Sequence, residues 1–536
     1  MNDGLVLGLD FGTLSVRALL VCAGDGREVA QAEYVYPHGV MDRALPCGAA
    51  LEAGFALAHP ADYLTGLGEV VRSVMKESGA APQDVIALGL DATSSTVLPL
   101  DADGRPLCFD ARFEREPHAY MKLWKHQGAA RQAQRMSEAA RRLGETWLPL
   151  CGGEVQCERM LPKVLEVAQC APHVYAAAAR FVELCDYMTF VLTGSERRSL
   201  PAAACNGHYI SGSYPGEAFW REVDPSIPPV TQKLTGDFVP IAQAVGALTP
   251  QMAQELGLAA GIPVAAGMID SHASAPGCGA DRAGDLVAVM GTSACYLMND
   301  TQLRAAPGIY AAAYEAHAQG LYGYEGGQSC VGDALDWFVK TGVPRQTLED
   351  AEAAGMDVHT YLSFLAQELA PGESGLTALD WLAGVRSPLM RPELRGVMAG
   401  MTLRTTPQEM YRAWMEACCF GARRIVESYA ASGMKIGRFF AAGGIARKNP
   451  FFMQMLSDVC AMPVTVCRSN QTGALGSAIC AAAASGRLGD LAACTRRMGS
   501  AAQAVYTPQN AAAYEPLYRR YLALSAAFES ADLAAL

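Results

Sequence analysis

Three short glycine turns and two aspartates are the residues of this chain best placed, by type and spacing, to do chemistry. Asp10 and Gly12-Thr13 follow one apolar run, Gly291-Thr292 a second, and Gly443-Gly444 a third. Glycine lets backbone amides approach a phosphate closely, and a threonine hydroxyl adds a donor without bulk. Two such turns facing each other across a cleft would clamp a triphosphate, although singly each is also an ordinary tight turn. Asp270 closes a further apolar run, Ile262 to Ile269, where a carboxylate could accept a proton. Patterns that bring other chemistry are missing from the sequence. There is no G-x-x-x-x-G-K-[ST] loop, no G-x-G-x-x-G after the first apolar run, no G-x-S-x-G and no H-E-x-x-H.

The elements that must carry these residues alternate between strand and helix. Leu5 to Cys22 reads as a hairpin around the Asp10–Thr13 turn, and Asp285 to Met298 as a second hairpin around Gly291-Thr292-Ser293. The echo suggests an internal duplication. Pro60 to Ser78 places Tyr63, Leu64, Leu67, Val70, Val71 and Val74 on one helical face, with Gly79 as its stop. Val85 to Leu90 reads as a buried strand ending at Asp91-Ala92-Thr93-Ser94-Ser95-Thr96. Thr406-Pro407-Gln408-Glu409 is a capping box opening a helix that Gly433 ends. Asn449-Pro450 caps a helix to about Cys460, and another runs from about Thr472 to Ala484. This alternation predicts an α/β fold with functional groups at strand ends. The domain boundary is expected between about 255 and 285: domain 1–265, domain 266–490 and a helical extension 491–536.

Composition narrows the partners. The chain has 536 residues, 51% of them hydrophobic, with 53 glycines; 42 Lys and Arg stand against 54 Asp and Glu, a net charge of −12. That length exceeds one ordinary core and predicts two or more domains. The acidic balance argues against nucleic acid as the main partner but suits an anionic metabolite whose charge is met by amides and a metal. The 17 cysteines form no C-x-x-C pair and read as free thiols of a reducing cytosol. No basic start, and no uncharged apolar run of the roughly 18 residues a membrane span requires, is present, so a cytoplasmic protein without membrane contact is expected. A homodimer is the default expectation for an oligomer.

The motifs, in order, resemble one family over nearly the whole chain, Gly8 to about Gly486. They are GLDFGTLSVRALLV at the start, LGLDATSSTVLP at 88–99, LWKHQ at 123–127, MLPKVLE at 160–166, AAGMIDSHASAPGCGA at 265–280, VMGTSACYLM at 289–298, YEGGQSCVGDALDWF at 324–338 and AAGGIARKNPFFMQMLSDVCAMPV in the last third. This set is similar to the FGGY carbohydrate kinases, most of all their ribulokinase branch. The resemblance implies two actin-like, ribonuclease H-like ATPase domains with an interdomain cleft, and ATP with Mg2+ as cofactors. It assigns Gly12, Thr13, Gly291 and Thr292 to the ATP phosphates, and Gly443, Gly444 and Asn449 to the adenosine side. Asp10 would bind magnesium, Asp270 would be the catalytic base, and Ser94, Trp124, His208, Asp270 and Glu325 would hold the sugar.

The implied reaction is phosphorylation of the terminal hydroxyl of a ketopentose, L-ribulose first. Two segments depart from that branch. Tyr209, in Cys205-Asn206-Gly207-His208-Tyr209, stands where a lysine is expected, and Asp380 to Arg386 lacks the expected asparagines. These departures keep xylulose, D-ribulose or ribitol open as acceptors. A non-catalytic sugar- or nucleotide-sensing protein is the alternative from another class.

Overall fold

The computed structural model describes residues 4–210 and 212–530. Two seven-stranded sheets dominate it. In the first, β1 (Leu5–Phe11) and β2 (Ser15–Cys22) form the expected hairpin with Asp10 opposite Arg17, and β3 (Glu28–Val35) extends it. Helix α1 (Pro60–Ser78) packs on these strands, burying Tyr63, Leu67, Val70, Val71 and Val74, and Gly79 stops it at φ 65°. Strand β4 (Val85–Ala92) then returns parallel to β1, in a register that sets Asp10 beside Asp91. Both faces of β4 are covered, which is why its sequence lacks polar alternation until Asp91. Beyond it lie β5 (Ala244–Ala247), β6 (Pro263–Ala265) and β7 (Met268–Ile269).

The apolar run read as one strand from Ile262 to Ile269 is therefore two short ones. Gly267 separates them where a Cβ would come within 2.8 Å of the Cys185 side chain. Both still pair with β4, and β7 delivers Asp270 as the first residue of α2 (Asp270–Gly277).

The second sheet repeats the plan. Strands β8 (Asp285–Met290) and β9 (Ala294–Asp300) form the second hairpin. Strand β11 (Tyr322–Gln328) pairs with β9 and β10 (Ala311–Tyr314) with β11, at the sheet edge, and α3 (Pro407–Ala431) covers the layer from its capping box at Thr406 and Glu409. Strand β12 (Arg438–Ala442) pairs parallel to β8 as β4 does to β1, so the duplication read from the hairpins is a duplication of topology. Helix α4 (Pro450–Cys460) and strand β13 (Val464–Cys467) follow. The stretch read as a helical extension also contributes a strand, β14 (Ala502–Tyr506), antiparallel to β13, before a final helix over Ala511–Ser530. Residues 531–536 of the extension read as 491–536 lie outside the described residues.

One helix crosses between the layers. α5 (Thr472–Ala484) packs on β1 and β4 of the first sheet and against α2. The approach is backbone to backbone: a Cβ on Gly8 would lie 1.9 Å from the Ala474 carbonyl oxygen, and one on Gly476 would lie 1.7 Å from that of Ala273. The face it covers includes Val6, Leu19, Val21 and Ile86. All described cysteines are free, and no helix among the described residues is long and apolar enough to cross a membrane.

Candidate active site

A cleft of about 390 Å³ opens where the two hairpin turns face each other, and it is lined by residues of both sheets. At one end stand the glycine turns. Gly12, Thr13, Gly291, Thr292 and Gly443 all reach the wall, together with Asn470 to Gly473 at the start of α5. The two hairpin turns are built alike: the Gly12 amide donates to Ser15 O at 2.9 Å and the Gly291 amide to Ser293 O at 2.8 Å. Both glycine amides are thus used in closing their own turns. The amides of Thr13 and Thr292 make no such bond. Gly443, at φ 98°, is a position only glycine fits, since a Cβ there would stand 2.3 Å from Met290 O. Gly444 begins a short helix behind it. Asn449 does not line the cleft: its Oδ1 caps α4 by accepting from the Phe452 amide, and its Nδ2 donates to Ser363 Oγ.

Three carboxyl groups converge at the cleft floor. Asp10 and Asp91 are neighbours on parallel strands, Asp10 Oδ2 lies 3.9 Å from Arg17 Nη1, and Asp91 Oδ2 accepts from Ser477 Oγ at 2.7 Å. Asp91 Oδ1 is buried without a partner. Burial raises the Asp10 pKa, and the neighbouring Asp91 carboxyl and the charge of Arg17 only partly offset it. Burial and then the charge of Asp10 drive Asp91 well above the usual carboxylate range. Asp270 Oδ1 accepts from the Ser271 amide at 2.7 Å. Burial, reinforced by the Asp10 charge, lifts Asp270 to about 7, a value suited to a base at neutral pH.

The opposite end is a lattice of hydrogen bonds. Ser94, Trp124 and Glu325 line it as expected. Ser94 Oγ and Arg159 Nη1 both donate to Asn206 Oδ1, while Asn206 Nδ2 donates to Glu183 Oε2. Arg159 Nη2 donates to Tyr310 O, and Tyr310 Oη to Glu325 Oε1 at 3.2 Å. Glu325 Oε2 is 3.2 Å from His272 Nε2. Burial pushes Glu325 up, but His272 and Arg159 outweigh it and hold its pKa at about 2. Lys163 Nζ ties two loops at this end together, donating to Ser95 O at 2.7 Å and Leu123 O at 2.8 Å.

His208 does not reach this lattice. It is the left-handed cap of the helix Leu200–Gly207, at φ 54°, which turns its ring into the core. There it stacks on Trp147, with Nδ1 3.1 Å from Cys151 Sγ, and burial drops its pKa to about 3. Tyr209 also stays outside the cleft lining, packed on Phe238 with ring centroids 4.4 Å apart. Residues that were not singled out from the sequence line the cleft instead, chiefly Glu158, Arg159 and Arg386. The signal for Arg159 was a charged residue heading the apolar helix of MLPKVLE, and Arg386 ends the segment read for its missing asparagines.

Duplicated α/β layers, hairpin turns facing a shared cleft and a buried carboxyl between them define an ATP-dependent phosphotransferase of the actin-like fold class. Models of the FGGY family of carbohydrate kinases match the chain, the N-terminal domain over residues 5–277 and the C-terminal domain over 286–485. A ribulokinase of Mycolicibacterium smegmatis is 42% identical over 97% of this chain and 93% of its own length. One from Geobacillus thermodenitrificans is 39% identical over 98% and 94%. The solved xylulose kinase of Rhodospirillum rubrum superposes with a TM-score of 0.80 at 26% identity, covering 98% of this chain and 99% of its own. Plasmodium falciparum glycerol kinase with ADP shares the fold, at a TM-score of 0.73 and 16% identity over 97% of this chain and 98% of its own. The chain belongs to the FGGY family of carbohydrate kinases, and it is an ATP-dependent kinase of a small sugar or polyol.

Proposed function

We propose that this kinase phosphorylates the terminal hydroxyl of a ketopentose, with L-ribulose the first acceptor and magnesium the metal. The observation that carries the acceptor is the run of relatives named ribulokinase, matched across 97% of the chain at up to 42% identity. The metal reading rests on Asp10 at the cleft wall beside Asp91, whose Oδ1 is buried without a partner. A hard divalent ion takes oxygen ligands of this kind. Magnesium, when bound there, would neutralise charge on the transferring phosphoryl group.

The chain's own residues would do the rest. The Thr13 and Thr292 amides would hold phosphate oxygens, and Gly443 would admit the nucleoside side. Asp270, with Oδ1 occupied by the Ser271 amide, would take the sugar hydroxyl proton on Oδ2. The lattice of Ser94, Asn206, Arg159, Tyr310 and Glu325 would orient the acceptor against it.

A second acceptor, such as xylulose, D-ribulose or ribitol, is favoured by one observation: Tyr209 supplies no cation to the cleft. ADP release coupled to a panel of ketopentoses, pentoses and pentitols separates the two. L-ribulose is expected to give the highest kcat/KM, and its ranking among the poorest acceptors would overturn the first reading.

A further inference from the structure

At the sugar end of the cleft nearly every polar group is already engaged. Both Glu325 oxygens are held, by His272 and Tyr310, and two Arg159 nitrogens donate to Asn206 and Tyr310 O. Ser94 Oγ is committed to Asn206. Arg386 differs. Its guanidinium lines the same cleft, lies 5.7 Å over the Trp124 ring, and makes no hydrogen bond or ion pair among the described residues. Tyr310, Glu158, Cys295 and Glu325 are the ionisable groups around it. A guanidinium offers five N–H donors and accepts nothing, so it calls for a ligand atom that only accepts.

The acceptor chemistry supplies such an atom. A ketopentose closes its five-membered ring through the terminal hydroxyl, so a chain whose terminal hydroxyl is free to be phosphorylated is open and carries a free ketone. A ketone oxygen accepts hydrogen bonds and has no proton to place. A pentitol puts a hydroxyl there instead, and its proton cannot be accepted by a guanidinium, which only donates. We propose that Arg386 is the specificity-determining residue for the acceptor, donating to the ketone oxygen of the open-chain ketose and thereby favouring the ketose over the matching pentitol. This rests on the ketopentose reading above.

The test compares wild type, Arg386→Met and Arg386→Lys with L-ribulose and with ribitol, the latter read as substrate or as competitive inhibitor. Losing hydrogen bonds to a charged donor is expected to lower kcat/KM for L-ribulose about tenfold to a hundredfold in Arg386→Met, mainly through KM. Ribitol should shift less than about threefold, and so should KM for ATP. Arg386→Lys keeps the charge and a donor, remains informative if the methionine variant does not fold, and should recover part of the loss. An indifferent L-ribulose KM, an equal loss on both ligands, a parallel change in KM for ATP, or no recovery with lysine overturns the inference. Wild-type enzyme inactive on every ketopentose defeats the substrate reading itself and this inference with it. Wild type active on L-ribulose with an indifferent Arg386 defeats the inference alone.

Discussion

Trp124 Nε1 donates to Thr13 Oγ1 at 3.0 Å, so the indole at the far end of the cleft is tied to the first hairpin turn. The two halves of the site share one bond across residues far apart in sequence. Thr13→Val and Trp124→Phe should each lower kcat/KM, and the double variant should fall short of their sum. A double-mutant cycle on kcat/KM should return a coupling of about 0.5–3 kcal/mol. Strict additivity would show that the bond carries no communication between the halves.

Asp270 sits where activity and stability pull in opposite directions. Asp270→Asn should cost about a hundred- to ten-thousand-fold in kcat while the fold is kept. Its pKa of about 7 gives the sign of the pH profile: log kcat/KM rises through that value and levels above it. The folded pKa is raised above the ordinary 3.8. Between those two values an unfolded chain ionises the group while the folded one keeps its proton, so this group's contribution to stability falls as pH rises. Asn removes that penalty, and the variant's Tm at pH 8 should exceed that of wild type.

Lys163 is a positioning residue, buried beneath the Ser95 and Leu123 carbonyls that it bonds. Burial lowers its pKa to about 7. Lys163→Met leaves two carbonyls without a donor, at about 1–3 kcal/mol each. Because those carbonyls set the Ser94 turn and the Trp124 loop, KM for the sugar should rise more than tenfold, by order of magnitude, while KM for ATP stays within about threefold. Equal changes in both constants would mean a general loss of structure.

Gly476→Ala should destabilise the protein by about 1–3 kcal/mol or more, since a Cβ would meet the Ala273 carbonyl at 1.7 Å with no flexible side chain to move. Urea unfolding measures this. A neutral result would show that α2 and α5 can separate without cost.

The sequence exposed whatever local turn chemistry decides. Both hairpins, the caps at Gly79 and Thr406 and the placing of Asp270 follow from neighbours in the chain, and the structure keeps them. His208 was read toward the cleft, but long-range packing turns its ring onto Trp147; Asn449 keeps the cap role read for it and does not line the cleft. Gly12 and Gly291 reach the cleft as read, and each turn uses its glycine amide to close itself, a bond that a turn motif does not announce. Arg159 and Arg386 come to one cleft only after the chain has folded, and no local pattern brings them there. The closeness of α5 to β1 was equally hidden, because Gly8 reads as an ordinary strand glycine until Ala474 arrives beside it.

That crossing helix also dictates an order of assembly. The first sheet is made early in synthesis, but the face carrying Val6, Leu19, Val21 and Ile86 stays uncovered until residues 472–484 emerge. An apolar face left open for most of translation is a surface for chaperones or for misassociation. The amino-terminal half is consequently no free-standing module: cut away from α5, it would have strands, hairpin and Asp10 in place but only one finished side.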